Sequence, residues 1–175
     1  DKMSRFIRFC DAFNIPLLWL CDTPAFLPAV EEEVRALIRH GCGVIFGNTE
    51  ATVPQVTVTP RKRYGGGALA MPGQMLTGDV HVAWPSFEPG LMGAEGAVAI
   101  VYRRELGAIE DEEKRALQKQ KRMDEMEVGL DNLIRESVQD FLDPRDTRPY
   151  IIKTLRWLAQ RQQELPPRRH ENIRL

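Results

Sequence analysis

Apolar residues recur at helical spacing from the first turn of the chain. Met3, Phe6, Ile7, Phe9, Cys10 and Phe13 alternate with Arg5, Arg8 and Asp11, so residues 3–13 are predicted to form an amphipathic helix. Asn14 and Pro16 end it. Ile15 to Cys21 is almost wholly apolar, the pattern of a short strand buried on both faces. Asp22-Thr23-Pro24 then turns the chain. Residues 30–40 return to a helical pattern, with Glu31, Glu32 and Glu33 early and Arg35, Arg39 and His40 late, a polarity that complements the helix dipole. Gly41 is the predicted stop.

The period then changes. Val44, Ile45 and Phe46 read as a strand, and Val53 to Val58 alternates as a second one, with Pro54 at its start or on an edge. Asp79 to Trp84 alternates again and stops at Pro85. Gly93 to Tyr102 fits either a helix start or a buried strand, because periodicity alone does not separate the two. Residues 110–127 are densely charged with mixed signs, as on a solvated helix. Asp143 to Thr147 is a turn, residues 149–163 form a last amphipathic helix, and a basic tail follows Pro166-Pro167. Short apolar strands alternating with helices predict an α/β layered domain.

Composition narrows the function classes. The 175 residues carry 24 Lys plus Arg against 25 Asp plus Glu, a net charge of -1, which argues against a sequence-independent grip on nucleic acid. Hydrophobic residues make up 43%, enough for a sizeable core. No run approaches the roughly 18 apolar residues of a transmembrane helix. Cys10, Cys21 and Cys42 have no zinc-finger spacing and read as free thiols of a reducing compartment. The chain opens on Asp1 and almost at once on a helical pattern, which leads us to expect a domain or leader before it.

The chemistry-bearing candidates are few. Gly65-Gly66-Gly67-Ala68 follows a strand and the basic triplet Arg61-Lys62-Arg63. Such a run is either a plain tight turn or a turn whose successive N–H groups converge on one oxyanion. No Gly-Lys-Ser/Thr follows, so it is not a P-loop. Asp22 to Pro28 follows a buried strand, where α/β sheets hold ligands, or is ordinary loop packing. His40, His81 and His170 are scattered, and His81 in a strand reads as structural. Glu50 and Glu88 each stand alone as potential acid/base groups, and Cys10 and Cys42 read as packing residues. No metal set appears. The residues thus supply two backbone-lined loops and no side-chain catalytic set, a pattern suited to chemistry that needs oxyanion donors, such as enolate formation on a thioester.

A resemblance extends along the chain. Arg5 to Pro16, Asp22-Thr23-Pro24, Phe26-Leu27-Pro28, Ile38-Arg39-His40-Gly41, Glu50 to Pro54, Arg61-Lys62, Tyr64-Gly65-Gly66, Ala83-Trp84-Pro85, Met92-Gly93-Ala94, Asp143-Pro144-Arg145 and Thr147-Arg148 occur in order. Arg169-His170, Asn172-Ile173 and Leu175 close the series. In these motifs the chain resembles the C-terminal half of carboxyltransferase (β) subunits of biotin-dependent acyl-CoA carboxylases, of the propionyl-CoA carboxylase type.

The resemblance implies a crotonase-like α/β fold of repeated ββα units, with residues 1–175 as the C-terminal domain and the N-terminal domain absent from this chain. It implies an acyl-CoA substrate held by the N-terminal domain, and carboxybiotin held by the C-terminal domain of a neighbouring subunit. Biotin would arrive on a separate carrier domain or subunit (the biotin carboxyl carrier protein), loaded by biotin carboxylase. The assembly would be a homo-oligomer, a hexamer by resemblance, located in the bacterial cytoplasm or the mitochondrial matrix, with no nucleic acid and no insertion into a membrane. Gly66 and Gly67 would form the backbone oxyanion hole for the biotin ureido oxygen. Leu69, Thr23 and Phe26 would meet the substrate, and Tyr64, Gly65 and Ala25 the cofactor.

Departures from the family's pattern cluster near these loops. Leu69 stands where propionyl-type enzymes carry Asp, which points to a longer acyl group. Ala25 and Ala29 replace glycines and would be strained at positive φ. Phe87, Pro89 and Gly90 replace a more usual Ala, Ile and Ala, and Glu136 and Gln139 replace a Gly and an Asp. Two alternatives stay open: the carboxyltransferase subunit of an acyl-CoA decarboxylase, and a non-catalytic assembly subunit that keeps the fold.

Overall fold

The computed structural model describes residues 1–27, 29–73, 76–161, 163 and 165–167, and only the backbone course of 127–137. Pro28 of the Phe-Leu-Pro motif, and His170 with the matches from Arg169 to Leu175, lie outside the described residues. In chain order the first elements are α1 (Lys2–Ala12), β1 (Leu17–Leu20), α2 (Val30–Val34), α3 (Leu37–Glu50), β2 (Gln55–Thr59), β3 (Lys62–Tyr64) and α4 (Gly65–Leu69). They are followed by β4 (Val80–Ala83), β5 (Glu88–Gly90), α5 (Ala94–Val101), α6 (Arg103–Gly107), α7 (Glu112–Ser137), β6 (Asp140–Phe141) and α8 (Thr147–Leu158).

The main sheet has the order β1-β2-β4-β6, and every pairing is parallel. Parallel neighbours require crossovers, and α3, α4 and the α5–α7 group supply them. Its faces differ. Val56, Val58, Val80 and Val82 pack with Leu142 and Leu158 under α8. The other face carries Leu17 and Trp19, which pack with Ile7 and Cys10 of α1 and Val44 of α3. Between these apolar parts, that second face is polar: Gln55, Thr57, Thr59 and His81 are all at most 2% exposed. Each makes a side-chain hydrogen bond, although Gln55 does so through Nε2 only and its buried Oε1 has no partner among the described residues. His81 Nε2 lies 2.8 Å from Thr59 Oγ1, so the structural reading of this histidine holds.

Three sequence expectations are corrected. Gly41 does not end a helix, and Val44-Ile45-Phe46 is not a strand: both lie inside α3. The small residues of α3 serve packing, since a Cβ on Gly41 would stand 3.0 Å from the Phe26 ring and one on Gly47 would stand 3.4 Å from Ile7. The helix that was expected over 30–40 is instead split at Ala36, whose φ is 60°. Third, β1 is buried on one face only, with Leu18 46% and Leu20 65% exposed. It is an edge strand, whereas β2 and β4 are buried along their whole length. The undecided Gly93–Tyr102 segment is helical, as α5. Ala25 and Ala29 are unstrained: among the described residues, Asn14 and Ala36 are the non-glycines with positive φ.

Candidate functional site

β1 ends at Leu20, and the following loop meets the end of the short strand β3. The Thr23 amide donates to Lys62 O (2.8 Å), and the Tyr64 amide donates back to Thr23 O (3.1 Å). Asp22 Oδ1 accepts the Lys62 amide at 2.9 Å, a long-range bond that ties the loop after β1 to the start of β3. β3 pairs in parallel with β5, placing Tyr64 opposite Gly90. These pairings bring the two loops singled out by the sequence into one site. Thr23 pairs with Lys62 and Tyr64, and Ala25 and Phe26 stand against Gly66 and Gly67, so the sequence-predicted residues Thr23, Ala25, Phe26, Tyr64, Gly65, Gly66 and Gly67 lie in two adjoining loops, with Leu69 at the end of the glycine turn.

The glycine run is one helical turn, α4, rather than the open turn its composition suggests. Its three glycines have different reasons to lack a side chain. Gly65 has φ +55°, and a Cβ there would stand 2.9 Å from Leu91 O. Gly67 is buried, and its Cβ would stand 2.9 Å from the carbonyl carbon of Ala25, so the two loop backbones touch here. Gly66 is exposed and would meet only the Phe26 ring, at 3.3 Å. The first amides of a helix have no intrahelical acceptor. Among the described residues, the Gly66 and Gly67 amides donate to no backbone carbonyl and no side chain. The arrangement therefore offers two successive N–H donors, one exposed and one beneath it. Leu69, on the same turn, is 49% exposed.

Glu88 is not alone, contrary to expectation. Its Oε2 accepts the Tyr64 hydroxyl at 2.9 Å, and its Oε1 accepts Arg61 Nε at 3.1 Å. Burial pushes the Glu88 carboxyl up, but the Tyr64 hydrogen bond and the Arg61 and Lys62 charges outweigh it and hold the group below the usual carboxylate range. Glu50 is likewise paired, with Arg8 at 3.3 Å. Cys21 is fully buried, and burial pushes its thiol up despite the neighbouring Arg63 guanidinium. It is a protonated packing residue, and Cys10 is buried too. No group of three or more His, Cys, Asp or Glu side chains placed to hold a metal occurs among the described residues. No described helix is long and apolar enough to cross a membrane.

Sequence reasoning missed Glu88 as a partner of Tyr64, noted Arg63 only as part of the basic triplet without its contacts, and missed Asn48 altogether. The Glu88 contact was accessible in principle, through a second short strand of matching register. Asn48 and Arg63 carried no local signal.

Comparison with known proteins gives a consistent picture. The description of the carboxyl transferase domain matches residues 1–173. The chain is 41% identical to the propionyl-CoA carboxylase beta chain of Saccharopolyspora erythraea, over 100% of this chain and 33% of that one. It is 40% identical to methylmalonyl-CoA decarboxylase subunit alpha of Propionigenium modestum, over 100% of this chain and 34% of that one. Among solved structures, the transcarboxylase 12S hexamer with methylmalonyl-coenzyme A and methylmalonic acid bound superposes with a TM-score of 0.89 at 40% identity, covering 100% of this chain and 34% of that one. The chain thus spans about a third of the length of the curated relatives it matches.

Proposed function

Since the chain belongs to the carboxyl transferase family and has its crotonase-like α/β fold, we propose that it is the C-terminal domain of a carboxyltransferase subunit. It supplies the biotin side of a site that moves a carboxyl group from carboxybiotin to the α-carbon of an acyl-CoA. The observation that carries this is the pair of unpartnered amides at Gly66 and Gly67. Gly66 is exposed and the Phe26 ring borders it at 3.3 Å from where a Cβ would stand, so a planar ureido carbonyl would lie over the bare backbone beside that ring. Carboxybiotin supplies the CO2 equivalent and, in the ureido nitrogen, a base for the α-proton. The Gly66 and Gly67 amides would hold the ureido oxygen and stabilise the negative charge developing on it, and one such donor is worth about 2.7–4 kcal/mol.

The other residues frame this exchange. Tyr64, Gly65 and Ala25 hold the turn that faces the cofactor. Thr23, Phe26 and Leu69 line the side that faces the substrate. In such a reaction, cleavage of the N–carboxyl bond would supply the CO2 and free the nitrogen that takes the thioester α-proton, so the enolate carbon would gain the carboxyl group that the nitrogen loses. The thioester half of the site belongs to chain outside these residues. Biotin rides on a carrier loaded by a biotin carboxylase, and the working enzyme is a homo-oligomer.

The opposite direction is a second reading, supported by the 40% identity to a methylmalonyl-CoA decarboxylase subunit. The same donors serve both directions, since both pass through the same charge on the ureido oxygen. The test is carboxyl transfer by the full-length protein with its carrier. Gly66→Ala keeps the amide donor, whereas Gly66→Pro removes it at a first-turn position that tolerates proline. Turnover of the proline variant should fall about 100-fold or more below that of the alanine variant. Equal turnover of the two variants would refute the oxyanion role. Residues 1–175 alone should carboxylate no acyl-CoA.

A further inference from the structure

The segment leaving α4 presents three successive carbonyls, and a different part of the fold holds each one. Asn48 Nδ2 of α3 donates to Ala70 O at 3.0 Å. Thr57 Oγ1 of β2 donates to Pro72 O at 2.8 Å. Arg63 Nη2 donates to Met71 O at 3.2 Å and reaches Pro72 O at 3.5 Å. Its other terminal nitrogen, Nη1, donates to Cys21 Sγ at 3.2 Å.

Arg63 differs from the other two in position. It stands on β3 immediately before Tyr64 and Gly65, while its acceptors lie immediately after α4. One side chain therefore ties the entry of the glycine turn to its exit and to the end of β1. The guanidinium has no carboxylate partner among the described residues. Burial keeps its sulfur neighbour a neutral thiol, so the contact is no ion pair. All its described contacts are with backbone carbonyls and that sulfur, within the walls of the site. The neighbouring Gly73 leaves room for it, since a Cβ there would stand 2.5 Å from Nη2.

We propose that Arg63 is a positioning residue, the clasp that closes the Tyr64–Met71 loop and sets where the Gly66 and Gly67 amides stand. The planar fork places its two terminal nitrogens apart, Nη1 on the sulfur and Nη2 on the carbonyls; a lysine ammonium has its donors on one atom and does not span both sides in that geometry. Asn48 and Thr57 are bound to α3 and the sheet, so they fix the exit of the loop. Among the described side chains, Arg63 alone bonds both that exit and the end of β1 from the entry strand. The clasp acts on the reaction through the amides, and in that respect it rests on the proposed oxyanion role.

The test uses the full-length protein with its biotin carrier, comparing Arg63→Lys and Arg63→Met with wild type and with Gly66→Pro. Displacing donors by a fraction of an ångström to 1 Å should lower kcat about 10- to 100-fold in Arg63→Met. KM for the acyl-CoA should stay within about twofold, because the thioester is held elsewhere. Arg63→Lys keeps the charge and the stem, so it should fold like wild type yet recover only part of kcat. Hydrogen exchange at the Ala70 and Met71 amides should accelerate in both variants, while that of Val56 and Val58 stays slow. Wild-type kcat in Arg63→Met, or unchanged exchange at Ala70 and Met71, would overturn the clasp. A joint rise in KM and fall in melting temperature without a fall in kcat would also overturn it. If Gly66→Pro is impaired while Arg63→Met is not, the clasp fails and the oxyanion reading stands. If Gly66→Pro matches Gly66→Ala while exchange still accelerates in Arg63→Met, the clasp stands and the oxyanion reading fails.

Discussion

Gly66 and Gly67 are adjacent, both lie in one helical turn, and the same substitution should move their stabilities in opposite directions. Neither has positive φ, so alanine fits the backbone at both. In a helix, Gly→Ala gains about 0.5–1 kcal/mol. At Gly66 the new methyl group meets the Phe26 ring at 3.3 Å, close to ordinary contact, and a ring can turn aside. Gly66→Ala should therefore be neutral or stabilising by up to about 1 kcal/mol. At Gly67 the new methyl stands 2.9 Å from the Ala25 carbonyl carbon and 3.1 Å from Phe26 N. Ordinary contact begins at 3.4 Å, so the two backbones must part by about half an ångström. Overpacking of this kind costs about 1–3 kcal/mol, which outweighs the propensity gain and leaves a net loss of about 1–2 kcal/mol. The assay is urea denaturation of the full-length variants, with equal m-values as the check that only stability changed. Equal midpoints for the two variants would refute the claim that the loop backbones touch at Gly67.

Three further outcomes are expected. The folded Glu88 carboxyl sits below the ordinary carboxylate value near 4.5, so its ionised form stabilises the protein above about pH 4.5 and that contribution is lost as pH falls through the lower folded value. Glu88→Gln should therefore lose less stability than wild type on acidification, by under about 1 kcal/mol because the side chain is 42% exposed, as read from urea midpoints across that range. Asp11 Oδ1 accepts the Thr52 amide at 2.6 Å, the Thr52 hydroxyl at 3.0 Å and the Val53 amide at 3.2 Å. Asp11→Ala should cost about 2–4 kcal/mol and Asp11→Asn clearly less, measured as melting temperatures. In the full-length enzyme, Leu69→Asp should shift an acyl-CoA chain-length screen toward shorter chains, by about fourfold in kcat/KM per methylene; an unchanged preference removes Leu69 from specificity.

Much of this protein is legible in its sequence. The stripe that buries Ile7 and Cys10 predicts α1, the alternation at Val56 and Val58 predicts β2, and that at Val80 and Val82 predicts β4. In each case the burial of a residue follows from neighbours within a turn or a strand, which is what periodicity records. The two loops that flank the site are also legible, because turn residues mark them locally. The collinear motifs, taken together, point to the carboxyltransferase family, and the comparisons agree.

Other features depend on contacts between residues far apart in the chain. Gly41 looks like a helix stop because glycine often is one, yet it lies in mid-helix, where the Phe26 ring closes over it. Val44-Ile45-Phe46 has strand propensity, but its burial comes from α1, and packing overrides so short a run. Glu88 lies 27 residues from Arg61, and Arg63 lies 42 from Cys21, so no local window holds either pair. By itself, then, the sequence determined α1, β2, β4, the two loops and the family, because each is written in neighbouring residues. Only the tertiary structure decided why each glycine is a glycine, which strand is an edge, and which side chain closes the loop. Those depend on what approaches from elsewhere, and that is set by the packing of the sheet.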